Sequence, residues 1–489
     1  MGIELILDMA GDAHGERIAL GGRDGGLSFA GLCRVADGGA AVLGAAGAGS
    51  VVHIGLNGPV LPSLVFAAAK AGLPLTPINY RLSAQRIASL VGELDRPYVV
   101  ADRAFAGQVS AHARSEDWIG SASAAEPAPA PGAADDDPAV VLFTSGTTAR
   151  PKGVVLRHAH LLSYVLETVE FGAADEDDAV LVSVPPYHIA GVGSVLSNLY
   201  AGRRMAYLPD FTPRGWLDLV RDDAVTHAMV VPTMLARIVD ELAGAEADVP
   251  SLRSIAYGGA RMPPTVLRAA LAAFPRTDFV NAYGLTETSS TIAVLGPEDH
   301  RAALAGDPVA VERLGSVGRM VPGVECAVRD GDGRRLAPGE VGEIWVRGAQ
   351  VSGEYRGTGS VLDADGWFPT RDRGRLDGDG YLFVHGRADD TIIRGGENIA
   401  PAEIEDVLAE HPAVHQVAVL GMPDDEWGER IVAVVVPVAG AAPEPDDVRA
   451  FVRARLRSSR TPDDVVFQAD LPYTPTGKLL RRELARRLT

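Results

Sequence analysis

From about residue 50 onward, short β-rich runs alternate with amphipathic stretches of helical period. This alternation constrains the fold more than any other feature of the chain. VVHIGL (51–56) and PYVVA (97–101) read as strands, and LPSLVFAAAKAGL (61–73) and 83–95 as helices. The pattern resumes with strands at 139–143, 179–184, 204–208, 226–231, 253–257 and 277–283. Between them the spacing predicts helices at 158–170, 191–201, 213–223, 233–243 and 263–274. Such alternation builds βαβ units and mostly parallel sheets. SASAAEPAPAPGAADDDP (121–138) reads as an exposed connector without regular structure.

After about 310 the character changes. VGEIWVRG (341–348) and YLFVHG (381–386) are strands among Gly and Asp turns, which predicts an antiparallel, barrel-like section over about 310–385. In the last hundred residues, TIIRGG, VHQVAVLG and RIVAVVVPV read as strands. PAEIEDVLAEHP (401–412) and DDVRAFVRARLR (446–457) read as helices, the first with proline at its start. The expected architecture is α/β. A large N-terminal body of mixed and parallel sheets with flanking helices (1–387) precedes a small, mobile α+β C-terminal domain (388–489).

Composition excludes several classes. Apolar residues at 47% and charged residues at 22% fit a globular chain, not a disordered or fibrous one. A net charge of −19 opposes nucleic acid and anionic membrane as main partners. No charge-free apolar run approaches about 18 residues, so no membrane span is expected. The first residues, MGIELILDMAGDAHGERIAL, carry acids within the apolar run and no basic start, unlike a signal peptide. Ile6 stands where a myristoylation signal wants Ser or Thr. Cys33 and Cys326 are far apart in sequence and read as reduced core residues; the cytoplasm is the expected location. Only three of the 45 basic residues are lysines: Lys70, Lys152 and Lys478. Where arginine is the default cation, a retained lysine suggests a need for its compact, flexible charge.

Phe143-Thr-Ser-Gly-Thr-Thr-Ala-Arg-Pro-Lys-Gly153 is the strongest chemical signal. It follows an apolar strand and is expected to precede a helix. Hydroxyls, backbone N–H groups and one ammonium gathered around Gly146 suit a polyphosphate. The run is not a Walker A loop, because Pro151 breaks the required spacing. Taken singly, Glu287 and Asp372 would read as solvated acids, Tyr283 as core, Lys478 as a flexible surface lysine, His188 as a buried structural histidine and Lys70 as a snorkelling helix lysine.

Together these residues carry a family pattern. The chain resembles the adenylate-forming superfamily of acyl- and aryl-CoA synthetases, luciferases and peptide-synthetase adenylation domains. The TSGTTxxPKG loop, Tyr257-Gly-Gly-Ala260, Tyr283-Gly-Leu-Thr-Glu287, Thr370-Arg-Asp372, Gly386-Arg-Ala-Asp-Asp390 through Gly395-Gly-Glu-Asn-Ile399, and Pro475-Thr-Gly-Lys478 occur in family order. The resemblance implies that Thr144, Ser145, Gly146, Thr147, Thr148 and Lys152 hold the β- and γ-phosphates of ATP. Glu287 would bind Mg²⁺, and Thr286 would contact the α-phosphate. Tyr283, Gly258, Gly259 and Ala260 would frame the adenine, and Asp372 and Arg387 the ribose. Lys478 would lie between the acid's carboxylate and the α-phosphate. Asp389 would be the hinge about which the C-terminal domain rotates, and His188 would gate the acyl pocket. That pocket would also take in Val192, Gly193, Tyr257 and Gly284.

Two departures stand out. Ala149 replaces a frequent Gly, and Ser458-Ser-Arg-Thr-Pro462 replaces Tyr-Lys-x-Pro, which touches CoA handling. Only eleven residues follow Lys478, so the expected acceptor is free CoA. The leading reading is an ATP-dependent acid:CoA ligase acting through acyl-AMP on an apolar acyl, aryl or bulky alicyclic acid, as a monomer or homodimer. One alternative passes acyl-AMP to a separate carrier protein or partner enzyme. Another is a nucleotide-binding regulator without turnover. Ala282, before Tyr283, offers no arginine to a second carboxylate of malonate type.

Overall fold

The computed structural model describes residues 1–489 apart from 106, 130, 145–150, 396, 425, 475, 476 and 489. Two large sheets form the N-terminal body. The first has nine strands, in the order Arg319–Met320, Ser290–Leu295, Asp278–Leu285, Ser254–Gly258, His227–Val230, Ala179–Val182, Arg204–Tyr207, Ile18–Leu20 and Leu27–Ser28. From Asp278–Leu285 to Ile18–Leu20 all neighbours run parallel. The second has eight strands, with a parallel centre of Leu75–Pro77, Ser50–Ile54 and Pro97–Ala101.

Side-chain alternation along the strands places the core. Val180 and Val182 of one sheet and Val51, Leu75, Val140 and Leu142 of the other meet between the sheets, together with Val192, Val195 and Leu199 of helix Ile189–Tyr200. Leu181, Val230, Ile255 and Phe279 point the other way, onto Leu235, Ile238, Leu267 and Leu271 of helices Pro232–Leu242 and Pro264–Ala273. β-Branched and leucine side chains thus fill both faces, as parallel sheets require. Lys70 is more than a snorkelling lysine: its ammonium bridges Asp8 at 2.8 Å and Asp37 at 2.7 Å, tying three helices together.

Three expectations need correction. The Ser/Thr-rich run does not lead into a helix. Pro138–Thr144 and Lys152–Arg157 pair antiparallel, with Thr144 opposite Lys152, and helix His158–Thr168 follows only afterwards. The cause is the Val-Val-Leu run after Gly153, which suits a pleated, buried strand. The 121–138 tract is not wholly irregular, since helix Ser115–Ala124 runs into it. The barrel-like section is an open four-stranded antiparallel sheet, Val324–Arg329, Gly342–Gly348, Phe368–Leu376 and Leu382–Arg387, whose outer strands do not pair among the described residues.

After Arg387 a short 3₁₀ turn, Ala388–Asp390, opens the C-terminal part. Its sheet joins Val414–Asp424, Gly428–Pro437, Ile392–Arg394 and Glu397–Ile399, with Asp464–Phe467 added in parallel. Helices Pro401–Ala409 and Pro445–Arg453 cover one face through Ile404, Leu408, Val448 and Val452. The large sheet-rich body and smaller α+β domain are thus as expected.

Candidate active site

The site lies where strand ends of the body face the C-terminal domain. Asp372 sits on Phe368–Leu376, only 6% exposed. Tyr283 donates its hydroxyl to Asp372 Oδ2 at 2.6 Å, and Arg387 Nη1 donates to Oδ1 at 3.1 Å. The Asp372 N–H is anchored on Thr370 Oγ1 at 3.1 Å. Burial pushes the Asp372 carboxyl above the usual range, while Arg387, the Tyr283 bond and Lys478 act against it. Burial, joined by Asp372, raises the Tyr283 phenol well above its ordinary value. The result is a fixed carboxylate with in-line donors and spare lone pairs, suited to accepting hydroxyl protons.

A cleft beside it is lined by Lys152, Glu287, Tyr355, Thr370, Arg371 and Arg387. Glu287 is held at both ends. Its carbonyl accepts the Ser352 N–H at 2.9 Å, and its Oε1 accepts the Tyr355 hydroxyl at 2.8 Å. Lys152 Nζ lies 5.3 Å from the centre of the Tyr355 ring. Among the described residues Glu287 Oε2 accepts no hydrogen bond. Among the described residues no group of three or more His, Cys, Asp or Glu could hold a metal. A lone carboxylate suits a cation such as Mg²⁺, which keeps waters and takes its other ligands from phosphate. The donor set therefore fits that ion.

Left-handed backbone clusters here. Ser289 (φ 55°) and Ser290 (φ 112°) follow Glu287, and Arg371 (φ 61°) precedes Asp372. Each such residue costs on the order of 1–3 kcal/mol and is held only where its surroundings fix it. Two glycines serve close backbone approach. A Cβ on Gly258 would lie 2.2 Å from the Ala282 carbonyl oxygen, and one on Gly284 1.8 Å from that of Ser290. Gly259, at φ 80°, needs the freedom glycine gives. Ala260 follows it, half-buried.

The C-terminal domain reaches this site at two points. The loop carrying Lys478 closes on itself, with the Lys478 N–H on Thr474 Oγ1 at 2.9 Å. It packs so tightly on the body that a Cβ on Gly477 would lie 2.5 Å from Thr233 Oγ1. Lys478 is exposed and near enough for its charge to act on Asp372. Arg261 bridges outward, Nη1 to the Ala402 carbonyl at 3.2 Å and Nη2 paired with Asp406. Asp389 lies exposed in the 388–390 turn.

The expected acyl-pocket residues divide. His188 precedes helix Ile189–Tyr200 at the N-cap position with no side-chain capping bond, and burial pushes its imidazole down to about 4, so it is neutral near pH 7. A Cβ on Gly193 would lie 3.0 Å from Ser290 Oγ, so helix and Ser290–Leu295 nearly touch. Val192 points instead into the inter-sheet core. Tyr257 also turns away from the pocket. It is 1% exposed on the outer sheet face, and its hydroxyl pairs with His300 Nε2 at 2.9 Å. The period of two along Ser254–Gly258 dictates this, because Ile255 and Tyr257 share a face. Ser145, Gly146, Thr147 and Thr148 lie outside the described residues. Thr286 opens the 3₁₀ turn that carries Glu287. Sequence reading missed Tyr355 and Arg261, whose partners lie 68 and 145 residues away.

The family model of the AMP-binding enzymes matches residues 7–356, and that of the AMP-binding enzyme C-terminal domain matches 403–478. The chain belongs to the AMP-binding enzyme family. This AMP-binding enzyme is 34% identical to the fatty acid–[acyl-carrier-protein] ligase ScoC of Streptomyces coeruleorubidus, over 89% of this chain and 86% of that one. It is 32% identical to the indoleacetate–CoA ligase of Aromatoleum aromaticum, over 95% and 94%. Its fold is similar to that of ATP-bound MatB from Rhodopseudomonas palustris, with a TM-score of 0.88 and 28% identity over 100% and 99% of the two chains. No described helix is long and apolar enough to cross a membrane.

Proposed function

We propose that this AMP-binding enzyme is an ATP-dependent acid–thiol ligase that joins a carboxylic acid to CoA. A carboxylate oxygen of the acid attacks the α-phosphorus of ATP, and pyrophosphate leaves. The CoA thiol then attacks the acyl carbon of the acyl-AMP, and AMP leaves. The observation that carries this reading is the buried Asp372, held between Tyr283 and Arg387 and within electrostatic reach of Lys478.

Asp372 accepts the ribose hydroxyls, and Arg387 adds a second contact. Tyr283 lies along the adenine, with Gly258, Gly259 and Ala260 as its backbone shelf. Lys152, with Thr144, Ser145, Gly146, Thr147 and Thr148, holds the terminal phosphates. Thr286 meets the α-phosphate. Glu287, aimed by Tyr355, would hold Mg²⁺, which would screen the phosphate charge. Lys478 sets the carboxylate against the α-phosphorus and offsets charge gathering there. Positioning and charge compensation are the main demands of such a transfer. His188 guards the acyl entrance. The acid has an apolar body, because Met229, Ala256, Val280 and Ala282 share the sheet face of Val180 and Val182 and are only half-buried.

Residues 1–387 form the body and 388–489 a domain that turns about Asp389, withdrawing Lys478 once the adenylate exists. A second reading, transfer to a carrier protein, draws on the similarity to ScoC. Incubation with ATP, a panel of acids and CoA as sole acceptor tests both. CoA-dependent thioester supports the ligase. Pyrophosphate release without thioester supports the carrier route. Absence of pyrophosphate with every acid refutes both.

A further inference from the structure

The two faces of the nine-stranded sheet differ in a way that packing alone does not explain. On the outer face Ala228, Val230, Ile255, Tyr257 and Phe279 are at most 3% exposed. On the inner face, which helix Ile189–Tyr200 meets at Ala179–Val182, residues 227, 229, 254, 256, 280 and 282 are all half-buried. Side chains alternate along a strand, so over 227–230, 254–257 and 279–280 the looser packing is on the inner side. That helix turns Val192, Val195 and Leu199 to the inter-sheet core, while Ser194 and Ser197 stay half-buried.

The end of this space farthest from His188 is polar. Asn198 donates to the Ser194 carbonyl at 2.8 Å and to Ser194 Oγ at 3.1 Å. Its own carbonyl accepts Arg203 Nη1 at 2.8 Å. Arg203 Nε is buried and has no hydrogen-bond partner among the described residues. Among the described residues no carboxylate lies within 4 Å of this guanidinium. The nearby carboxylate that acts on it, Asp178, is already paired with Arg253 at 3.1 Å. His227, on the inner face beside Arg203, is pushed down to about 4, chiefly by burial and then by Arg203, so it supplies no second cation. An unpaired, half-buried guanidinium in a chain of net charge −19 is costly unless a ligand meets it.

From this geometry we infer that Arg203 is a specificity residue at the far end of the acid pocket, and that the substrate carries a hydrogen-bond acceptor at the end opposite its reacting carboxylate. The inference rests on the ligase reading above. From His188 to Asn198 is ten residues of helix, about 15 Å. Acids of a few carbons therefore leave Arg203 unmet, and an apolar body ending in a carboxylate, carbonyl or phenolic oxygen reaches it. A site built for such an acceptor discriminates strongly against analogues lacking it, because its polar groups are then left unpaired.

The test compares pyrophosphate release from dodecanoate, whose extended chain spans this distance, with that from dodecanedioate, 11-oxododecanoate and 12-hydroxydodecanoate. It uses the full-length enzyme and the variants Arg203→Met and Arg203→Lys, with melting temperatures measured alongside. At least one derivative should exceed the parent acid by 10-fold or more in kcat/KM. Arg203→Met should remove that advantage while leaving the parent acid within about twofold, and Arg203→Lys should keep part of it. A preference for dodecanedioate over 11-oxododecanoate identifies the group as anionic; the reverse identifies a neutral acceptor. Turnover of the parent acid as good as any derivative, or an advantage that survives in Arg203→Met, overturns the inference and leaves the ligase reading intact. Pyrophosphate release from no acid overturns both. Should Arg203→Met fail to fold, the wild-type ranking and Arg203→Lys decide alone.

Discussion

Arg261 joins the body to helix Pro401–Ala409 through Asp406 and the Ala402 carbonyl. If the C-terminal domain alternates between two arrangements, this pair stabilises only the one in which Lys478 faces the cleft. Its worth follows from its surroundings. The side chains are 44% and 36% exposed, so the ion pair belongs near the exposed range of about 0.2–1 kcal/mol, screened by solvent. The charge-assisted bond to Ala402 adds about 1 kcal/mol after the same discount. A total of about 1–2 kcal/mol shifts a two-state ratio roughly 5–30-fold. Arg261→Ala should therefore lower the ratio of adenylation rate to thioester-forming rate by that factor. Adenylation is read by ATP–pyrophosphate exchange, and thioester formation by stopped flow from supplied acyl-AMP. Asp406→Ala touches nothing in the nucleotide cleft and should lower the ratio in the same direction, with KM for ATP unchanged. The double variant should be no worse than the more severe single one. Fully additive losses would show that the two side chains act separately. An unchanged ratio in both singles would refute the latch.

Lys478→Ala should reduce adenylation by about 10²–10³-fold, as expected for loss of one aimed charge, while thioester formation from supplied acyl-AMP persists; equal loss in both half-reactions counts against the assignment. Tyr257→Phe should cost about 1–3 kcal/mol by stranding His300 Nε2, and Tyr257→Ala about 3–5 kcal/mol by leaving a cavity. The order of preferred acids should stay fixed, whereas an altered order at unchanged melting temperature would return Tyr257 to the pocket. His53, His158, His188 and His227 are each pushed down to about 4, with burial the largest cause. The unfolded chain binds those protons near pH 6.5. In between, the unfolded state holds more protons, so stability rises with pH and is lost as acid is added from about 6.5 toward 4. Asp372 and Asp406, raised by burial, oppose this with two carboxyls against four imidazoles. Calorimetry should find proton uptake on unfolding at pH 5–6; proton release there would contradict the argument.

Much of this architecture was legible from periodicity. The strand predicted at 97–101 is Pro97–Ala101, and the helix predicted at 213–223 is Pro213–Asp222. These segments carry their signal locally, in β-branched runs and an apolar stripe. Lys152–Arg157 was missed because a phosphate-binding run is usually followed by a helix, and the pairing of Lys152 with Thr144 is a tertiary fact. Tyr257 was misassigned for a related reason. Its neighbours Gly258 and Gly259 are proposed for the adenine site, but only the register of six parallel strands decides which face Tyr257 takes. Tyr355 and Arg261 leave no mark in spacing, since each acts on a partner that folding brings to it. Arg203 was hidden among arginines in a chain that uses arginine for nearly every cation.

Arg387 grips Asp372, and the very next residue begins the 388–390 turn. The last fixed point of the body is thus also a wall of the cleft that Lys152 and Glu287 line. If the domain turns there and Arg387 frames the ribose, as proposed, rotation would pull on that guanidinium and link nucleotide occupancy to domain angle. Linkage is reciprocal: a nucleotide that binds one angle more tightly must also populate that angle, by the same factor. A ligand in the cleft and a lever at the joint are then two handles on one equilibrium.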